Sequence, residues 1–192
     1  MGVRLGMSGL VALVVLALPG PAPCAAPESA NGDAVAPGRT ELNAIDQQFV
    51  RTASLRGLAE VRLGKLAAAK GESVEVKQFG QRMVDDHRRA NDQLMQLAGI
   101  KGITIPAQLP REHKAKVDRL SRLAGAAFDR AYIQEMVRGH SDAIAIFERQ
   151  IKGGQDQDIK NFAASTLSLL RDHLQEARKI HDKITGDRAA VR

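Results

Sequence analysis

The sequence predicts an all-α fold: a four-helix bundle with a long crossover between its second and third helices and a short extra helix. Three observations lead there. Strong helix formers (Ala, Leu, Lys, Arg, Gln and Glu) fill the middle and end of the 192 residues, and β-branched runs are scarce. Apolar residues recur at helical spacing through four long segments, each bounded by Gly or Pro. The break between the second and third segments is long enough to run the height of a bundle.

The first helix is expected from Glu41 to Lys70, with Thr40 as N-cap and Gly71 as its end. Leu42, Ile45, Phe49, Ala53, Leu63 and Ala67 define its buried stripe. The second runs from Ser73 to Gly99, with Val76, Phe79, Met83, Leu94 and Leu97 inward. Residues 99–110 hold two Gly and two Pro and form the connection. Extended, they reach roughly 40 Å, about the length of a 27-residue helix. The second and third helices can then lie parallel, as in ferritin-like bundles rather than up-and-down ones.

A short basic helix is expected from Arg111 to Leu123, with Pro110 near its start and a break at Gly125. The third long helix covers Ala127 to Lys152, burying Tyr132, Met136, Ala143, Phe147 and Ile151, and Gly153-Gly154 stops it. The fourth covers Gln157 to Thr185, burying Phe162, Thr166, Leu169, Ala177, Ile180 and Ile184. Gly186 is read as its end. The bundle domain thus spans 41–186, with a frayed tail at 187–192.

Residues 1–26 carry the pattern of a bacterial secretory signal. Arg4 gives a positive start, and Leu10 to Leu18 is an apolar run too short to span a bilayer. Cleavage is expected between Cys24 and Ala30. Lipidation at Cys24 is the alternative, disfavoured by Pro23 directly before it. Residues 27–40, rich in Pro, Gly and polar side chains, read as a disordered linker. The expected location is the periplasm or cell envelope of a bacterium. No later segment is apolar enough to cross a membrane, and alternating barrel strands are missing.

The formal charge is +6, but basic and acidic residues are interspersed. That suits a solvated helical surface, with an anionic envelope surface as a candidate contact through Arg111, Lys114, Lys116, Arg119 and Arg122. Aromatic residues are 3% of the chain, too few for base stacking, and no nucleic-acid motif is present. Phosphate loops, nucleophile elbows, zinc knuckles and dinucleotide fingerprints are also missing. The chain is therefore not expected to be an enzyme.

Chemistry concentrates in a repeated pattern. Phe79-Gly80-Gln81-Arg82-Met83-Val84-Asp85-Asp86-His87 returns as Tyr132-Ile133-Gln134-Glu135-Met136-Val137-Arg138-Gly139-His140. His173 sits in a third apolar stripe. At about 100° per residue, His87 lies within about 40° of Met83, Leu94 and Ala98. His140 is as close to Met136, Ile144 and Phe147, and His173 to Phe162, Leu169 and Ile180. Glu60 is in phase with the buried stripe of the first helix. All four fall near mid-helix, so one layer of the bundle can hold them.

A carboxylate and three imidazoles converging there form a site for a divalent transition metal such as Zn, Cu, Fe or Ni. Met83 and Met136 would favour copper, although Met on a helix stripe is ordinarily packing. The alternative is a polar layer without metal, its histidines satisfied by backbone carbonyls or by Asp86 or Asp172, with Glu60 paired to Arg56 one turn earlier. Di-iron redox chemistry is disfavoured: Glu-x-x-His is needed on two helices, and Val84, Val137 and Leu170 occupy the preceding positions. His113 and His181 lie off the layer and read as surface residues.

The chain resembles a known family through Glu60-Val61-Arg62-Leu63-Gly64-Lys65-Leu66-Ala67, Met83-Val84-Asp85-Asp86-His87, Phe128-Asp129-Arg130-Ala131-Tyr132, Met136-Val137 with His140, and His173-Leu174-Gln175-Glu176-Ala177. It is similar to the bacterial domains of unknown function numbered 4142, often labelled predicted outer membrane protein. The likeness covers roughly residues 42–182. It implies a ferritin-like bundle exported to the periplasm or cell surface and supplies no activity. Members of that family often carry Asp directly before the second His, where this chain has Gly139. The expected function is an exported, non-enzymatic structural or stress-related binding module. The alternative is a metal-binding protein using Glu60, His87, His140 and His173.

Overall fold

A computed structural model describes residues 42–189, with side chains to residue 186. The expected signal, linker and Cys24 lie outside the described residues. The first helix starts at Ala44 with Asn43 as its N-cap, not at Glu41 with Thr40, because it is the Asn43 side chain that accepts a first-turn N–H. The helices are α1 (Ala44–Lys70), α2 (Val74–Lys101), α3 (Arg111–Ser121), α4 (Gly125–Gly153) and α5 (Gln157–Ala189). Among the described residues there is no strand. No helix among them is long and apolar enough to cross a membrane.

Local signals set the ends. The Asn43 side chain accepts the Asp46 N–H at 2.7 Å and starts α1. The Ser73 hydroxyl accepts the Val76 N–H and starts α2. α2 ends in a Schellman motif: Gly102 takes φ 69°, its N–H reaches Gly99 O, and Ile103 N–H reaches Ala98 O at 2.8 Å. Ile103 and Ala98 are both buried, which completes the motif's apolar contact. Asp156 Oδ1 accepts the N–H groups of Asp158 and Ile159 at the start of α5.

Cross-links fix the directions. Asp129 on α4 accepts the N–H groups of Glu72 and Ser73 at 2.9 and 2.8 Å, in the α1–α2 turn. Asp46 on α1 accepts those of Gln155 and Asp156 at 3.0 Å each, in the α4–α5 turn. α1 and α4 are therefore antiparallel. Lys101 pairs with Asp156 and Asp158, and Lys183 pairs with Glu75, so α2 and α5 are antiparallel too. It follows that α2 and α4 run parallel, and residues 102–124 climb the full height between them, carrying α3 on the way. This is the ferritin-like crossover that the linker length predicts. The two aspartate latches relate the α1–α2 hairpin to the α4–α5 hairpin. The sequence repeat instead links α2 to α4, parallel helices from different hairpins.

The close pairing of α1 and α2 rests on Gly64 and Gly80. A Cβ at Gly80 would lie 2.6 Å from Ala67 Cβ and 2.8 Å from Gly64 O. The buried side chains form two clusters. One contains Leu63, Phe79, Met83, Phe128, Tyr132, Met136 and Ile180. The other contains Phe49, Val50, Leu94, Phe147, Ile159 and Leu170. Each long helix passes from one cluster to the other, and His87, His140 and His173 lie at the junction.

Several boundaries and burials differ from expectation. α2 extends two residues past Gly99, because the left-handed turn falls at Gly102. α3 stops at Ser121 rather than Leu123, and Pro110 is its N-cap. α4 begins at Gly125, whose φ of 56° makes the turn from Ala124. Gly186 does not end α5, which continues to Ala189. Ile45 is 44% exposed, since in the first turn of α1 it lies beside Gly153 at the bundle's end. His113 is buried, not superficial: α3 lays it against the bundle, and burial lowers its pKa. His181 is half-exposed beside Asp182.

Candidate metal centre

The three core histidines meet. Ring centroids lie 5.8 Å apart for His87 and His140, and 5.4 Å for each of the other two pairs. One ring nitrogen from each lies within 4.8 Å of the other two. His173 is 0% exposed, His140 1% and His87 7%. The parallel run of α2 and α4 puts the two copies of the repeated motif at one height, and α5 supplies the third ring.

Tautomers follow from the partners. His140 Nδ1 is 2.9 Å from the Met136 carbonyl, which can only accept, so Nδ1 carries the proton and Nε2 the lone pair. His173 Nε2 is 2.8 Å from Asp86 Oδ2, so its lone pair is on Nδ1. His140 Nε2, His173 Nδ1 and His87 Nε2 are all buried without a hydrogen-bond partner. Three orphaned ring nitrogens in one place are costly as neutral groups, and they are the atoms a metal would use.

Electrostatics keep the rings neutral. Burial, then the neighbouring His140 and His173, hold His87 well below the usual histidine range. Burial, then His173, pulls His140 down to about 4, against the Met136 bond. Burial lowers His173 despite its bond to Asp86. At neutral pH none competes for a proton with an incoming cation. Asp86 is held in turn by Arg82 and Arg89, and Arg82 also reaches Glu176. Asp172, the other carboxylate considered, is exposed and takes no part in this chain of bonds.

Glu60 stands apart from the expected four-residue set. It lines a cavity with His87 and His140 but is not in the cluster of three converging nitrogens. Its Oε2 is buried without a partner, and no ion pair links it to Arg56 among the described residues. Burial, then the charge of Glu135, raises its pKa to about 7. A Cβ at Gly139 would lie 3.3 Å from Glu60 Oε1, so the missing side chain at Gly139 is what leaves the carboxyl room. Sequence reasoning missed two further polar atoms in this region, the Tyr132 hydroxyl and Asn91 Nδ2, both buried and unpartnered. Met83 and Met136 are packed in the apolar cluster beside the ring layer.

The basic face of α3 is partly neutralised. Lys116 and Arg119 pair with Glu135, as does Arg138, and Lys114 pairs with Asp118.

The family model for a domain of unknown function, DUF4142, matches residues 31–180. The chain belongs to that family. Among solved structures, a DUF305 fragment from Deinococcus radiodurans is similar to this DUF4142 chain, with a TM-score of 0.67 and 16% identity. The match covers 74% of this chain and 98% of the fragment. At that identity the likeness shows a shared helical fold alone. No curated protein matches the DUF4142 chain.

Proposed function

We propose that this DUF4142 protein is an exported, non-enzymatic helical bundle of the bacterial cell envelope that binds one divalent transition metal ion. His87 Nε2, His140 Nε2 and His173 Nδ1 are the ligands. The observation that carries this is the convergence of three buried histidines, with one ring nitrogen from each within 4.8 Å of the others, beside the fact that each ring has one buried nitrogen without a partner. The donor set suits Zn, Cu, Ni or Fe. Tetrahedral Zn–N bonds of roughly 2.0–2.1 Å put ligand nitrogens about 3.3 Å apart, so the rings draw together on binding. Asp86 would then act behind His173 as carboxylates commonly do behind metal-bound imidazoles, fixing the ring and raising its basicity. The N-terminal apolar run and its positive start support export.

A second reading, a purely structural module, has its own support. Met136 O and Asp86 each satisfy one ring nitrogen with no ion required. Dialysis against Zn, Cu or Fe, followed by metal analysis and thermal melting, separates the two. The metal reading expects about one ion per chain, a raised Tm, and loss of both in His87→Ala. No retained ion and no change in Tm would support the structural reading.

A further inference from the structure

The protein supplies three nitrogens, and a tetrahedral ion has a fourth position to fill. A cavity of about 40 Å³ adjoins two of the three rings, lined in part by His87, His140, Asn91, Ala143, Phe147 and Leu170. Glu60, Arg56 and Thr166 also line it, and the rest of the wall is apolar or glycine. Asn91 is 7% exposed, and its Nδ2 is a buried donor without a partner. Gly57 makes room for it: a Cβ there would collide with the Asn91 amide. Asn91 is also one helical turn after His87 on α2, so donor and ligand share one face. The cavity exceeds the roughly 10–15 Å³ needed for one water, and it is far too small for a metabolite.

We infer that this cavity is a binding site for a small exogenous ligand of two or three heavy atoms, coordinated to the metal and hydrogen-bonded by Asn91. The inference rests on the metal reading above. A mononegative ligand suits it best: three neutral imidazoles do not offset the ion's double charge in a low-dielectric interior, the Glu60 carboxyl on the same wall can offset only one of the two, and Asn91 offers a donor. Arg56, half-buried on the same cavity wall, adds attraction for an anion.

The probe is azide, added to the Cu(II)-loaded full chain and followed by its charge-transfer absorption and by Cu(II) electron paramagnetic resonance. A saturable new band is expected. Ala143→Leu and Ala90→Leu, at half-buried cavity positions that are not ligands, should keep the copper and weaken azide at least tenfold. Asn91→Ala should keep the copper and weaken azide several-fold. Copper retention in each variant shows that the bundle has folded. A copper-loaded chain that gives no azide band, or cavity variants that bind azide like the parent, would overturn the inference and leave the metal reading standing. A chain that takes up no copper or other ion would overturn both.

Discussion

His173 Nε2 donates to Asp86 Oδ2 over 2.8 Å, tying α5 to α2 inside the core and fixing the lone pair on Nδ1. Asp86→Asn keeps the shape but weakens this hold on the ring. Metal affinity should fall about 10–100-fold. Competition against a chelating dye measures it, with helix content followed by circular dichroism as a check on folding.

Replacing His87 by Leu should have opposite effects on two properties. It removes a buried nitrogen that has no partner in the metal-free protein. Metal-free stability should rise by about 1 kcal/mol, or a few degrees in Tm. The metal-induced rise in Tm should vanish. Melting with chelator and with Zn reads both effects.

The metal-free protein should weaken in mild acid. His140 has a folded pKa of about 4 against an ordinary value of 6.5. Above pH 6.5 neither state is protonated there and the contribution is intact. Between 6.5 and 4 the unfolded chain takes up the proton first, so stability falls with pH, by on the order of 2–3 kcal/mol for this group. His87 and His173 act in the same direction. Urea melts in chelator at pH 7 and pH 4.5 should show the drop, reduced in His140→Leu.

Glu60 works the other way. Its folded pKa of about 7 exceeds the ordinary 4.5, so the unfolded chain ionises first as pH rises. Stability is lost between 4.5 and 7, and above that a buried carboxylate is charged. Glu60→Gln should stabilise the metal-free protein by about 1–2 kcal/mol at pH 8 and leave it nearly unchanged at pH 4. Paired melts at the two pH values give the answer.

Gly80→Ala sets helix propensity against packing. Alanine favours a helix by about 1 kcal/mol. Here its Cβ would lie 2.7 Å from Ala68 N and 2.8 Å from Gly64 O, backbone atoms that cannot turn aside. The packing loss should win, with a net cost of about 1–3 kcal/mol. A higher Tm for the variant would contradict the tight α1–α2 contact.

The fold was legible because its signals are periodic and local. The apolar stripes place His87, His140 and His173 inward, and the length of 99–110 permits parallel α2 and α4. The site was legible only to the level of helix phase. Glu60 shares that phase, but its carboxyl stops beside Gly139. No spacing rule says that Asp86, rather than Asp172, reaches His173 from another helix. His113 looked superficial because its burial comes from how α3 lies on the bundle, not from its own stripe. Gly186 signals an end, but a helix continues past a glycine when nothing else stops it.

The three imidazoles come from α2, α4 and α5, so the third arrives only when α5 packs onto the other two. A chain cut after α4 keeps two of them and leaves Asp86 without its ring. Tenacious ion retention would therefore report that the crossover had closed and that α5 had docked against α2 and α4.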